Sequence, residues 1–441
     1  MTAETAFTEL MRESLPGIDL GGLIAAMPDF AIEAAAGCLA GATVSGRKYL
    51  EPWTPPALQH GVVRYDYRHG LRISATAPIE THIRVYDGDN PLYCPLDTTV
   101  PAGGAISYET PEKHFMRWTL EVNGKTAPFS LAGRSVLIRM RADTLGDAIY
   151  WLTSLERFKQ EHRCRLSAAV PDYVVPLFQR SRPDIEWLTQ KQALERYHTF
   201  AAVYRIGVYE NPDNPYEAAP YRCNSLISHA QMILGQPLDD TPPALDLGAP
   251  RFRDRGYIAM CASASGKKKT WPLENYSRLS VLLTLAGWDV VAVGDGPCPD
   301  AAIDETGRRP LQEIVDILKD AAFYIGGPSG MYALAWASRV PLVMISGFTA
   351  PPVEAHTPYR VYPRTGCRFC WSARPDASLA VTEEDCPVWE QARKAAHFNR
   401  PPPRCPPAAP RECLSNMTVA MALNEINRLI ADYHLTPGSV R

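Results

Sequence analysis

The chain has 441 residues, about three times the length of a typical domain, so two or three hydrophobic cores are expected. Apolar residues make up 46% of the sequence, charged residues make up 21%, and the net charge is −3. These values are typical of a globular protein and exclude the strongly basic surface that binds nucleic acid or an anionic membrane. We therefore expect a multidomain protein whose partners are recognised by local sites.

An apolar stretch at residues 20–42 has the composition of an export signal, but its details argue against one. No basic cluster precedes it, and three residues interrupt it: Pro28, Asp29 and Glu33. No other stretch supplies the roughly 18 uninterrupted apolar residues of a spanning helix. The sequence therefore predicts a soluble cytoplasmic protein without a membrane span.

The N-terminal third divides into two regions with different patterns of apolar residues. Apolar residues follow a helical period at 4–16 and 22–41, and a proline-rich run then ends the pattern, so residues 1–60 are predicted to form a helical extension and linker. Short alternating runs separated by Gly and Asp follow. They predict a small antiparallel β-domain at residues 61–133.

From Ser135 onward strands and helices alternate, and the alternation restarts at Tyr257 after a Pro-Pro boundary. This pattern predicts parallel sheets covered by helices. We therefore assign one Rossmann-like lobe to residues 134–246 and a second to residues 247–441. Open α/β sheets bind ligands at the carboxyl ends of their strands, so a ligand cleft is expected between the two lobes.

The first candidate site follows the first strand of the first lobe and consists of Thr144, Leu145, Gly146 and Asp147. Gly146 permits close approach of a ligand, and Asp147 would stand at a helix N-terminus, where it could accept a proton from an acceptor hydroxyl. The alternative is an aspartate that only caps the helix or interacts with its dipole.

Two strand-to-helix loops of the second lobe are candidates for binding a diphosphate. The first contains Ser263 and three consecutive lysines, of which we choose Lys269, and the second contains Gly327, Ser329 and Gly330. Backbone N–H groups, a helix dipole and an ammonium group together suit a phosphate. Each loop could instead be a solvated or tight turn without a ligand. All three loops are predicted to face the same cleft.

Five of the eleven cysteines fall between positions 367 and 413, whereas the other six are scattered singly among apolar neighbours. In a reducing compartment such a cluster favours a metal site over disulfides. We choose four ligands for a closed, structural tetrahedron that suits zinc or iron: Cys367, Cys370, Cys386 and Cys413. Cys405 lies in a proline-rich run and is interpreted as a free thiol. Unrelated thiols or a redox Cys-x-x-Cys are the alternatives.

These features, in this order along most of the chain from about Val62, resemble the bacterial autotransporter heptosyltransferases, which are related to the ADP-heptose lipopolysaccharide heptosyltransferases. The resemblance rests on the β-domain and on several motifs: Thr144-Leu-Gly-Asp147, Lys269-Thr-Trp-Pro272, Ser329-Gly330 followed by Leu334-Ala-Trp336, Ile345-Ser-Gly-Phe348, and the cysteine quartet ending in Glu412-Cys413. The proline-rich insertion at 401–407 and the first 55 residues depart from the family pattern.

The resemblance implies a GT-B fold, an ADP-heptose donor and an acceptor serine on an autotransporter adhesin. It also implies an iron ion held by the four cysteines and a large ring-shaped homo-oligomer, a dodecamer. Asp147 resembles the family's catalytic base, and Lys269 resembles its ligand of the donor phosphates. We expect an inverting transfer without a catalytic divalent metal, in which Asp147 deprotonates the serine hydroxyl and Lys269 stabilises the departing diphosphate.

Two other functions are compatible with parts of the sequence. A lipopolysaccharide-type heptosyltransferase would share the donor and use a core sugar as acceptor, but it would need neither the β-domain nor the cysteine cluster. A non-catalytic module could use its cysteine knuckle to bind a protein. Nucleic acid is not expected as a partner, because no basic patch surrounds the cysteines.

Overall fold

The computed structural model describes residues 56–141, 144–207, 215–216, 224–247, 256–264, 269–364, 368–369, 371 and 412–438. The predicted N-terminal helices lie outside these ranges. The described chain forms an antiparallel β region followed by two parallel sheets with helices.

The antiparallel region contains two four-stranded sheets with the orders β1-β2-β3-β6 and β5-β4-β7-β8. Its strands are β1 (Leu58–His60), β2 (Val63–Asp66), β3 (Arg72–Thr76), β4 (Thr81–Asp87), β5 (Leu96–Val100), β6 (Ala105–Glu109), β7 (Trp118–Val122) and β8 (Lys125–Ala127). Alternate residues of β4 are buried, which matches a strand with one face on a core. The described strands span most of the range predicted for the β-domain.

The first lobe has a four-stranded parallel sheet with the order β11-β10-β9-β12. Its strands are β9 (Ser135–Arg141), β10 (Arg165–Ala169), β11 (Glu186–Leu188) and β12 (Ala202–Gly207). Its helices are α1 (Leu145–His162), α2 (Val175–Ser181), α3 (Gln190–Glu195) and α4 (Leu226–Ile233). The carboxyl end of β9 leads directly toward the first candidate loop.

The second lobe has a six-stranded parallel sheet with the order β15-β14-β13-β16-β17-β18. Its strands are β13 (Tyr257–Cys261), β14 (Asp289–Gly294), β15 (Ile303–Thr306), β16 (Phe323–Gly326), β17 (Leu342–Ile345) and β18 (Arg360–Val361). Its helices are α5 (Leu273–Leu285), α6 (Leu311–Leu318), α7 (Gly330–Ala337), α8 (Glu412–Ser415) and α9 (Val419–Asp432). The carboxyl ends of β13 and β16 carry the two candidate phosphate loops.

The C-terminal segment forms two helices, α8 and α9, rather than one continuous helix. The hydroxyl of Thr418 accepts a hydrogen bond from the Met421 N–H and so caps a new helix. Between the two helices, the Met417 carbonyl accepts a bond of 2.8 Å from the indole of the fully buried Trp271. This bond fastens the C-terminal helices to the loop that precedes α5.

Candidate active site

The first turn of α1 holds the predicted base. The Thr144 hydroxyl accepts a hydrogen bond of 3.4 Å from the Asp147 N–H, so Thr144 is the N-cap and Asp147 is the third residue of the helix. The cap is therefore supplied by threonine rather than by the Asp147 carboxylate. Asp147 is half-buried at the positive end of the helix dipole.

The start of α7 in the second lobe lies directly against the start of α1. Ser329 caps α7 by accepting from the Tyr332 N–H at 3.4 Å. A Cβ placed on Gly330 would lie 2.9 Å from Cβ of Leu145, and one on Gly146 would lie 3.8 Å from Cα of Gly330. The two helix N-termini can approach this closely because Gly330 has no side chain. The loops that begin α1 and α7 therefore meet, with the positive ends of both helices at one cleft.

Lys269 lies beside the loop that leads into α7. Its carbonyl oxygen would be 3.0 Å from a Cβ on Gly327, so the absence of a side chain there helps the two backbones to pack together. Its ammonium lies 5.3 Å from the ring centre of Phe348 and 6.0 Å from that of Trp371, which is cation–π geometry. The backbone of Lys269 thus packs on Gly327, while its half-buried ammonium lies against the two aromatic rings.

Ser263 lies against a turn that the sequence analysis did not include in the site. A Cβ on Gly296 would overlap Ser263, and Gly294 has a φ of 94° and would meet Met331 at 3.2 Å if it carried a Cβ. Asp295, between these glycines, is exposed directly after β14. The signal that could have found this turn is Gly-Asp-Gly at the carboxyl end of a buried strand, where open α/β sheets bind ligands.

A second carboxylate in the cleft was also missed. Glu354 is only 6% exposed, and its Oε2 lies 3.5 Å from Nη1 of Arg360, itself buried. Burial raises the pKa of Glu354 above its ordinary value, while the charges of Arg360 and Lys269 oppose that rise. Glu354 follows two prolines in a loop, and no motif in the sequence singled it out.

The predicted metal ligands lie only partly within the described residues, because Cys367, Cys370 and Cys386 fall outside them. Cys413 packs on Gly347, where a Cβ would lie 2.8 Å from the Cys413 carbonyl oxygen. Within the described part of the chain no group of three or more His, Cys, Asp and Glu side chains could hold a metal ion.

Described residues next to the Cys-x-x-Cys cysteines form hydrogen bonds to the segment on which Cys413 packs. The N–H of Phe369, which stands between the first two cysteines, donates to the Gly347 carbonyl at 2.7 Å. The N–H of Trp371 donates to the Phe348 carbonyl at 3.0 Å. The described neighbours of the first two cysteines and Cys413 therefore meet at Gly347 and Phe348.

Comparison with known proteins identifies the chain's relatives. The profile of glycosyltransferase family 9 (heptosyltransferase) matches residues 159–362. The autotransporter heptosyltransferase TibC of Escherichia coli O78:H11 is 33% identical over 361 residues, which cover 76% of this chain and 86% of that protein. The chain belongs to the autotransporter heptosyltransferase family. The predicted family and the predicted transferase class are confirmed.

The fold agrees with this family. The crystal structure of the bacterial iron-containing dodecameric glycosyltransferase TibC from enterotoxigenic E. coli is 29% identical, with a TM-score of 0.72 over 87% of this chain and 100% of that one. TibC has also been crystallised with ADP-D-β-D-heptose. The predicted α/β fold of GT-B type is therefore confirmed for this family member.

Another relative shows why the site residues need tests of their own. The inactive autotransporter heptosyltransferase BimC of Burkholderia thailandensis is 30% identical over 347 residues, which cover 74% of this chain and 79% of that protein. Membership of the family alone thus does not identify the residues on which turnover depends.

None of the helices in the described ranges combines the length and apolar character needed to span a bilayer.

Proposed function

We propose that this protein transfers heptose from ADP-heptose to serine hydroxyls of an autotransporter adhesin. The observation that carries the proposal is the meeting of the N-termini of α1 and α7, with Asp147 on one side of the cleft and Lys269 on the other. The donor is proposed because TibC, the relative with the same fold, binds ADP-D-β-D-heptose.

The reaction would proceed as a single displacement. The serine oxygen attacks the anomeric carbon, Asp147 takes the hydroxyl proton, and the bond from that carbon to the diphosphate breaks on the opposite face, so the configuration is inverted. The ammonium of Lys269 and the N–H groups at the start of α7 stabilise the negative charge that develops on the leaving ADP. In this scheme the positive charge comes from the protein, and no catalytic divalent metal is assigned.

The cysteine cluster is proposed to hold a structural iron ion, with zinc as the alternative, through Cys367, Cys370, Cys386 and Cys413. Two observations support it: Cys413 and the neighbours of the first knuckle meet at Gly347, and the related TibC is iron-containing. Four thiolates close the coordination sphere, so the ion would brace the C-terminal region rather than contact substrate. TibC is also dodecameric, and we propose the same assembly for this chain.

The direct test is co-expression of the chain with an autotransporter passenger, followed by intact-mass and peptide mapping. One heptose increment on each modified serine is the expected result. Transfer to a lipopolysaccharide core sugar without any passenger modification would favour the other acceptor class. Absence of transfer to both acceptors, with the protein folded and ADP-heptose bound, would overturn the proposed function.

A further inference from the structure

Two aromatic rings meet across the lobes, about one helical turn from the start of α1. Tyr150 on α1 and Trp336 on α7 have ring centres 5.4 Å apart, with an angle of 55° between the ring planes. Both side chains are buried, at 2% and 6% exposure. Trp336 belongs to the Leu334-Ala-Trp336 motif, to which the proposed mechanism gives no role. The contact joins the two helices whose N-termini form the cleft.

Tyr150 lies on the same side of α1 as the proposed base. It follows Asp147 by three residues and Gly146 by four, and residues at these spacings share one side of a helix. Gly146 faces Gly330 of the second lobe. The side of α1 that carries Asp147 is therefore the side on which Tyr150 contacts the second lobe.

The hydroxyl of Tyr150 reaches a peptide of the second lobe. Burial raises the pKa of Tyr150 well above its ordinary value, and a hydrogen bond with the Ala355 backbone opposes this rise. The carbonyl of Ala355 accepts a bond of 3.0 Å from the hydroxyl of Tyr332 on α7. Two buried tyrosines, one from each lobe, therefore hold the same residue of the loop that follows β17.

The next residue of α1 reaches this loop by another route. The indole N–H of Trp151 donates to the Leu226 carbonyl at 3.0 Å, and the Leu226 N–H donates to the Val353 carbonyl at 2.9 Å. Leu226 is the first residue of α4 in the first lobe. Residues 353–355 of the second lobe are therefore bound to α1 both directly and through α4.

The spacing of the lobes matters because the proposed mechanism takes its charged groups from both of them. Asp147 belongs to α1, whereas Lys269 and the start of α7 belong to the second lobe. A general base must lie within about 2.6–3.2 Å of the group whose proton it accepts. A misplacement of about 1 Å can slow a reaction by about 100-fold. A side chain that fixes α1 against the second lobe can therefore control the rate through Asp147.

We propose that Tyr150 is a positioning residue for the transfer: its hydroxyl on Ala355 and its ring on Trp336 hold α1 at the spacing from α7 that Asp147 requires. The inference rests on the proposed function, since it concerns the same base and the same cleft. Tyr150 is assigned no contact with a substrate. Its hydroxyl should therefore affect the rate of the chemical step and not the binding of the nucleotide.

The first test is Tyr150→Phe in the full chain, which removes the hydroxyl and keeps a ring against Trp336. Single-turnover kinetics at saturating ADP-heptose should show transfer slowed by about tenfold, because Asp147 is held less closely. Calorimetry should give a Kd of ADP within about twofold of the wild type, since the proposed phosphate ligands all belong to the second lobe. A loss confined to the rate separates positioning from substrate binding.

Tyr204→Phe is the matched control. Tyr204 is a buried tyrosine of the first lobe, and its ring centre lies 5.7 Å from that of Phe115 and 5.4 Å from that of Phe158, neither of which belongs to the second lobe. Its rate of transfer and its ADP affinity should equal those of the wild type. Thermal unfolding of both variants shows whether they lose stability to the same extent.

Hydrogen exchange followed by mass spectrometry tests the contact without turnover. Peptides that contain the amides of Leu226 and Ala355 should exchange several-fold faster in Tyr150→Phe than in the wild type, because the loop is held to α1 less firmly. Tyr204→Phe should leave the exchange of both peptides unchanged.

Tyr332→Phe provides a second variant, from the other lobe. It removes the 3.0 Å bond to the Ala355 carbonyl, and transfer should slow by a few fold. In the double variant with Tyr150→Phe, the loss of rate should be smaller than the product of the two single losses, because both hydroxyls act through Ala355. This variant keeps the inference testable should Tyr150→Phe fold poorly.

Three results would overturn the inference: transfer at the wild-type rate in Tyr150→Phe, equal slowing in Tyr204→Phe, or an ADP affinity that falls as much as the rate. Unchanged exchange of both amides in Tyr150→Phe would do the same. Failure of the proposed function gives a different result, since the wild type would then transfer heptose to no acceptor.

Discussion

The start of α1 in the first lobe and the start of α7 in the second are built alike but carry different chemistry. Each follows a buried parallel strand, and each is capped by a hydroxyl side chain, Thr144 or Ser329. The first turn of α1 contains Asp147, whereas that of α7 contains no acid and lies beside Lys269. In the proposed mechanism the same backbone arrangement serves a proton acceptor on one side of the cleft and a phosphate on the other.

The largest effect is expected from removing the acid of α1. Asp147→Ala should lower the rate of heptose transfer by about 10²–10⁴-fold, the usual contribution of a general base, with the Kd of ADP-heptose nearly unchanged. Single-turnover kinetics and calorimetry measure the two quantities. Asp172→Ala is a suitable control, because Asp172 is an exposed acid in the first turn after the neighbouring strand β10. Retained turnover in Asp147→Ala would remove this residue from the mechanism.

Removing the cation beside α7 should have the opposite signature. Lys269→Ala is expected to weaken binding of both ADP and ADP-heptose by about 10-fold to 100-fold, since a charge-assisted bond to phosphate is lost. Titration of each nucleotide measures this loss. Lys191→Ala, on the exposed face of α3, should leave both affinities unchanged. A normal ADP affinity in Lys269→Ala would contradict the assignment of Lys269 to the phosphate-binding side of the cleft.

The contrast between the two helix starts also shows how far the sequence could predict this molecule. Helix α5, Leu273–Leu285, has a local sequence signal, because Pro272 precedes it and an apolar period runs along it. Strand β12 has no such signal, since all six of its residues are buried and Arg205 interrupts an otherwise apolar run. Such a strand shows no alternation, and its assignment depends on pairing with β9.

The site was predictable in its loops but not in its assembly. Asp147, Lys269 and Ser329 could be proposed because each follows a strand and precedes a helix. The need for Gly330 depends on Leu145 of the other lobe, and the pKa of Glu354 depends on burial and on Arg360. Both are tertiary effects without a local sequence signal.

The metal proposal predicts a smaller loss of activity than either charge substitution, because the ion would brace the C-terminal region and would not contact the substrate. Cys413→Ser should lower the metal content measured by mass spectrometry, reduce the visible absorption of an iron–thiolate site, and decrease thermal stability. Cys298→Ser, at a half-buried cysteine outside the cluster, should leave all three unchanged. Full metal content in Cys413→Ser would exclude it as a ligand, and zinc in the wild type would correct the choice of iron.

The two glycines of the helix contact should respond differently to the same substitution. Gly330→Ala places a methyl group 2.9 Å from Leu145 Cβ, so it should destabilise the folded chain by about 1–3 kcal/mol and slow transfer. Gly146→Ala meets only ordinary contacts at 3.8 Å and should leave stability unchanged or slightly higher. Urea unfolding of both variants measures the difference. Equal effects would mean that the two helix starts are farther apart in solution.

Acid should weaken the first lobe before the second, because two buried histidines, His162 and His229, both belong to the first lobe. Burial lowers the pKa of each below the ordinary value of about 6.5, so the unfolded chain binds protons more readily than the folded one. Above about pH 6.5 the two histidines do not lower the free energy of unfolding. Below this pH the free energy of unfolding falls by at most about 1.4 kcal/mol per pH unit for each histidine.

Urea unfolding at pH 8, 6.5 and 5.5 measures this slope, and His162→Phe should reduce it. His162 packs 4.3 Å from the ring centre of Phe158 and 5.1 Å from that of Phe115, so a phenyl ring suits the same aromatic cluster. His356→Phe is the control, because His356 is exposed and lies in the second lobe. If His356→Phe flattened the slope as much as His162→Phe, acid sensitivity would not distinguish the two lobes.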